Sequence, residues 1–280
     1  MRMSKSLPLL LAVCLFAAGC GLSADISEKQ QTLKQEGMEL QSTGDYSGAI
    51  AKYEEALQLS NMKVGKEEID LAYYKASAQY QSGDLAGAID TYSAVIALKK
   101  DINGYLGRGM LYVAAKDAEK AEADLNEALQ ETDDPLIKGI IYNVVNDTEK
   151  AKECFEEAKK AGNAESAFYL AGIYEKAGDE NYAMILLEEY IASGKASAEG
   201  YLSVGRHYME DGAYEDALKT LQTGISQGES GVLKNLMQEE IACYEKLGDF
   251  AGAREKAEDY LEKYPDDGFI KNEYEFLKSR

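Results

Sequence analysis

Along most of the chain the apolar positions fall at helical spacing, and that spacing itself repeats. A Gly-Asp-like turn is followed by an alanine four or five residues on, by an aromatic residue or leucine one helical turn later, and often by a second alanine. The instances are Gly44-Asp45 with Ala49, Tyr53 and Ala56; Gly83-Asp84 with Ala88 and Tyr92; Asp117 with Ala121, Leu125 and Ala128; and Asp147 with Ala151, Phe155 and Ala158. Gly178-Asp179 with Ala183 and Leu187, Gly212 with Ala217 and Leu221, and Gly248-Asp249 with Ala253 and Ala257 complete the series. Residues at these offsets share one face of a helix, so each instance predicts an amphipathic helix entered through a turn.

The key alanines are separated by 39, 33, 30, 32, 34 and 36 residues. Upstream of each turn stands a second small residue, Gly37, Ala76, Gly109, Gly139, Ala171 and Gly205, with Ile241 in the last unit. Three residues beyond it come Leu40, Gln79, Tyr112, Tyr142, Tyr174, Tyr208 and Tyr244. Each unit is thus two helices joined by a turn. Small residues let the two helices approach closely, and the larger ones fill the space left over. Glycine supplies the left-handed conformation that closes the first helix, and the following aspartate starts the second.

Two helices and a glycine turn, recurring near every 34 residues, resemble the tetratricopeptide repeat (TPR). The resemblance covers about residues 30 to 265. It implies an all-α fold, a right-handed α-α superhelical solenoid of about seven TPR-like helix pairs. No such pair buries its apolar face alone, so neighbours must stack into a shared core. Lys116 and Asn146 stand where glycine is expected in units three and four. Asparagine tolerates the left-handed conformation, whereas Lys116 suggests a different turn. Pro135 falls where the first helix of unit four begins, which predicts a short helix there. Beyond Pro265, the residues 266–280 carry Phe269, Ile270, Tyr274, Phe276 and Leu277 on a charged helix that caps the stack.

The opening residues have a different character. Arg2 and Lys5 precede an apolar run from Leu7 to Ala18, too short to span a bilayer as a helix and suited to a signal peptide over residues 1–19. Ala17-Ala18-Gly19-Cys20 resembles a bacterial lipobox, in which Cys20 becomes the lipidated first residue of the mature chain, although Ala17 stands where leucine is common. Two acyl chains anchor stably where one does not. Residues 20–29 would then be a lipidated cysteine and short tether, residues 30–265 the solenoid. The expected location is the extracytoplasmic face of the cell envelope, with membrane contact through the lipid on Cys20.

Charge narrows the partners. The chain carries 30 basic and 50 acidic residues, a net charge of −20, and loss of Arg2 and Lys5 with the signal makes it more acidic. Such a surface repels phosphate backbones, which excludes nucleic acid. Catalytic chemistry is sparse. The single histidine, His207, and Cys243 occupy matching places in adjacent units, where both are expected to face inward. Cys154 lies three units from Cys243, beyond the roughly 7 Å Cα separation that a disulfide spans. No metal-ligand spacing or phosphate-binding glycine loop appears, so no metal, cofactor or small-molecule substrate is expected.

What remains is the surface that first helices present in TPR proteins. By that resemblance its candidate residues are Tyr73, Tyr80, Leu106, Met110, Val113, Leu136, Ile140 and Phe168, an apolar strip flanked by Glu165, Glu175, Arg206, Glu210 and Glu245. An exposed strip of this kind binds a helix or extended peptide, unless the C-terminal helix already covers it. The expected role is a non-enzymatic adaptor or scaffold for other extracytoplasmic or membrane proteins. Two alternatives stand beside it: a solenoid that self-associates without a client, and an enzyme built on His207 and Cys243.

Overall fold

A computed structural model describes residues 26–60, 64–228 and 231–280, and the described residues fold into helices with no strand. The signal segment and Cys20 lie outside them. The helices are α1 (26–42), α2 (Tyr46–Gln58), α3 (Lys66–Gln81), α4 (Leu85–Leu98), α5 (Ile102–Ala114), α6 (Ala118–Gln130), α7 (Pro135–Val144) and α8 (Thr148–Lys160). They continue as α9 (Glu165–Lys176), α10 (Glu180–Ala192), α11 (Ala198–Glu210), α12 (Tyr214–Ile225), α13 (Leu233–Lys246), α14 (Phe250–Lys263) and α15 (Gly268–Leu277). The chain divides into two compact units, one ending at Lys100 and the other running from Asp101 to Arg280. The first holds α1–α4. The second holds α5–α15, in which paired helices pack on each other and each second helix packs on the first helix of the next pair.

Turn chemistry explains the helix ends. Gly83 has φ of 86°, and its amide donates to Tyr80 while Asp84 N–H donates to the Gln79 carbonyl. This closing pattern satisfies the last carbonyls of the helix. Lys116 and Asn146 adopt the same left-handed backbone, with φ of 59° and 60°. The Lys116 and Asp117 amides donate to Val113 and Tyr112 just as the glycine turns do. The different turn expected at Lys116 is therefore corrected. The repeat imposes its turn on lysine, at a conformational cost of about 1–2 kcal/mol. Second helices start on an aspartate that accepts an amide three residues ahead: Asp45 from Gly48, Asp84 from Gly87, Asp117 from Lys120, Asp147 from Lys150, Asp179 from Tyr182 and Asp249 from Gly252. Unit six has Ala213 instead, without a side-chain cap, and places Glu215 and Asp216 in the first turn, where carboxylates favour the helix dipole.

Helix α7 is short, as Pro135 predicts, with the proline in its first turn and Asp134 accepting from the Leu136 amide at 2.8 Å. Close approach within pairs falls where the small residues stand. A Cβ at Gly139 would lie 2.5 Å from the Phe155 ring, and one at Gly205 2.6 Å from Leu221. The core of the second unit gathers Phe155, Leu170, Leu186, Leu187 and Tyr190, all buried.

Helix α15 packs against α14, with Ile270 and Leu277 buried beside Ile241, Ala257, Tyr260 and Tyr264. Glu245 of α13 faces Glu273 of α15, and burial together with the Glu273 carboxylate pushes its pKa up to about 7; Lys246 opposes the shift. A carboxyl with a raised folded pKa leaves the native state holding more protons than the unfolded one. Stability then falls as pH rises from the unfolded value near 4.5 through 7. Glu245 is half-buried, so solvent screening leaves on the order of 1 kcal/mol of this effect. Glu245→Gln should therefore raise Tm over the parent by about 2–4 °C at pH 8 and by little at pH 4. A Tm difference that did not change between those pH values would contradict the pairing.

Candidate functional site

The strip residues divide between the two units. In the first, Tyr73 of α3 is half-buried against Tyr92 of α4, with ring centroids 5.6 Å apart, while Tyr80 is 50% exposed near the end of the same helix. In the second, Met110 and Val113 of α5 are 47% and 42% exposed, and Leu106 one turn earlier is half-buried. Ile140 of α7 and Phe168 of α9 are half-buried and rest on the core. Leu136 departs from the expected strip: it is buried among the core residues. The Asp134 cap and Pro135 fix the first turn of α7 so that Leu136 completes the core instead of facing solvent. Within the second unit α15 packs on α14, whereas Leu106, Met110, Val113, Ile140 and Phe168 stand on α5, α7 and α9.

Beside Phe168 the surface deepens into a pocket with about 450 Å³ of open space. Asn143 comes from α7, Phe168, Tyr169, Gly172, Glu175 and Lys176 from α9, Leu187 from α10 and Ser203 from α11. Tyr169 stacks on the buried Phe155, with centroids 5.0 Å apart and planes 7° apart. Phe168 meets Tyr169 edge to face and contacts Tyr190. The wall is thus rigid aromatic surface, which makes a low-entropy contact area. Burial pushes the Tyr169 hydroxyl up to about 12, and the carboxylates of Glu165 and Glu199 push in the same direction. Among the described residues, Glu175 and Glu199 make no ion pair, whereas Arg206 is bound to Glu239 at 2.7 Å.

Sequence reasoning missed Tyr169, Gly172 and Ser203. Gly172 was the readable signal, for it occupies the place held by Met110 and Ile140 in the two preceding units. A second apolar concavity, in the first unit between α2, α3 and α4, is lined by Leu57, Val64, Ile69, Val95 and Leu98; none of the expected strip residues lines it.

The cysteines are poor nucleophiles here. Cys243 is buried, its sulfur lies against Met209, and burial pushes its thiol up to about 11, with Glu239 and Glu240 adding to the shift. A reactive cysteine requires the opposite environment. Cys154 is half-buried, and its thiol is also raised by burial; both are free. Among the described residues no group of three or more His, Cys, Asp or Glu is placed to hold a metal, and no helix is long and apolar enough to cross a membrane.

Tetratricopeptide-repeat sequence profiles match residues 34–101 and 242–267. The chain is 29% identical over 206 residues to lipopolysaccharide assembly protein B of Escherichia coli K12, an alignment covering 69% of this chain and 49% of that protein. It thus spans about half the length of the curated relatives it matches. Among solved structures it is similar to yeast Tom70, with a TM-score of 0.59 at 15% identity over 84% of this chain and 52% of that one. It is also similar to PilW, described as a widely conserved type IV pilus biogenesis factor, with a TM-score of 0.50 at 16% identity over 74% and 99% of the two chains. These structural likenesses concern the fold. The two profile matches, with the repeated helix pairs and their glycine-type turns, show tetratricopeptide repeats in this chain.

Proposed function

We propose that this chain is a protein-binding adaptor of the cell envelope, tethered to a membrane by a lipid on Cys20. A client helix or extended segment would lie across the first helices of the second unit. Proteins with this repeat act in protein–protein interaction, and the observation that carries the reading here is the exposed pair Met110 and Val113 on α5, with the half-buried Ile140 and Phe168 on the later first helices α7 and α9. A contiguous apolar patch with a polar rim is a binding surface in a soluble domain. Similarity to a lipopolysaccharide assembly protein supports an envelope setting, and the lipobox-like Ala17-Ala18-Gly19-Cys20 supports the tether. The raised thiols weigh against the alternative of a Cys/His enzyme.

Crosslinking in cells, followed by capture of the full chain, tests this reading. Met110→Glu with Val113→Glu places two charges on exposed positions and should leave the melting temperature nearly unchanged. Client recovery should fall by about tenfold or more, since each buried apolar anchor contributes strongly to such interfaces. Cys20→Ala should release the chain from the membrane fraction. An unchanged client set in a folded variant would remove the groove.

A further inference from the structure

Gly172 lies inside α9 and is not among the glycines with positive φ. A Cβ built there meets nothing within 4 Å. Neither backbone conformation nor close helix approach accounts for a residue that is unfavourable in a helix interior relative to alanine. Its effect is to keep a space open where the two preceding units place Met110 and Ile140 and the following unit Arg206. That space has an aromatic wall, Phe168 and Tyr169, and acidic neighbours. Glu175 lines it, and Glu165 and Glu199 act electrostatically on the Tyr169 hydroxyl. Lys176 is the basic residue on the lining, exposed at the end of α9.

We propose that the pocket over Gly172 receives a lysine or arginine side chain from the bound segment, making the groove selective for basic, apolar-rich clients. This rests on the groove reading and adds to it the chemistry of the anchor. The stem of a long cationic side chain packs on the aromatic wall, and its charged head is drawn to the ring faces and to the Glu175 and Glu199 carboxylates, which make no ion pair among the described residues. An acidic or neutral anchor gains none of this, and the acidic surface around the pocket repels the former.

The test uses the full chain and three labelled helix-forming peptides of one Leu-Xaa-Xaa-Leu pattern, with Xaa as lysine, glutamine or glutamate, followed by fluorescence anisotropy. The lysine peptide should bind about tenfold or more tighter than the glutamine peptide, and the glutamate peptide should not bind. Gly172→Phe fills the space and should weaken the lysine peptide by about tenfold. Gly172→Met, copying the residue of unit three, serves if the phenylalanine variant misfolds. Glu175→Gln with Glu199→Gln should also weaken it. Glu122→Gln with Glu258→Gln makes the same change in net charge on exposed residues of α6 and α14 and should not. Equal binding of the lysine and glutamine peptides, equal loss in the control pair, or an unaffected pair of Gly172 variants would each overturn the pocket. The two readings fail separately. Clients lost from Met110→Glu/Val113→Glu but retained by the Gly172 variants would keep the groove and remove the cationic anchor.

Discussion

Phe155→Ala should be among the most damaging single substitutions in the second unit, costing about 3–5 kcal/mol. The ring is wholly buried and makes two close contacts of different kinds. One face stacks on Tyr169. Another part lies so near α7 that a Cβ on Gly139 would sit 2.5 Å from it. Truncation therefore leaves a cavity that α7 and α9 close only in part. Gly139→Ala alone is also expected to destabilise, because overpacking costs about 1–3 kcal/mol and the gain in helix propensity recovers roughly 1 kcal/mol. With Phe155→Leu the obstacle is smaller, and Gly139→Ala should turn neutral or stabilising. The two sites are thus strongly coupled. Urea unfolding of the four species in the cycle measures that coupling. Additive effects would show that the glycine and the ring do not share the space. Tyr169 also lines the pocket, so Phe155→Ala should weaken client binding at temperatures where the variant remains folded.

The same pair shows what the sequence could reveal. Gly139 and Phe155 stand at recurring places in the repeat, so their contact was readable as a pattern, as were the helix pairs and the short α7. A periodic pattern specifies the residues between which helices pack, because that packing is the reason for the period. It is less informative about individual departures. Leu136 falls in register with Leu106 and Phe168, yet it is buried in the core, in the proline-led first turn of the short α7. Lys116 lacks the residue its turn favours, yet adopts that turn, because the flanking helices over-determine the backbone. The pocket was harder to see. Its key feature is a missing side chain, and absence at Gly172 becomes meaningful only when its neighbours in space are known.

A second large effect is expected where α5 is fastened to α6. Arg108 donates from Nε and Nη2 to the two carboxylate oxygens of Asp124, both at 2.7 Å, and the aspartate is 5% exposed. Hydrogen bonding to Asp124 holds the guanidinium above its usual range. Arg108→Met would leave a carboxylate in a site with little water, and stranding a buried charge in this way costs about 3–5 kcal/mol. Asp124→Leu should cost less, because the Arg108 side chain retains 20% exposure and its head can turn outward. Replacing both residues together should recover most of the loss, since a well-packed apolar pair is often as stable as a buried ion pair. The apolar pair would lack the fixed bidentate geometry, however, and α5 carries Leu106, Met110 and Val113 on either side of Arg108. The double variant is therefore expected to regain its urea midpoint while binding clients less tightly than the parent. A double variant no more stable than Arg108→Met would mean that Asp124 is hydrated rather than stranded. Parental client binding at a recovered midpoint would mean that the ion pair sets only stability and leaves the strip to its own packing.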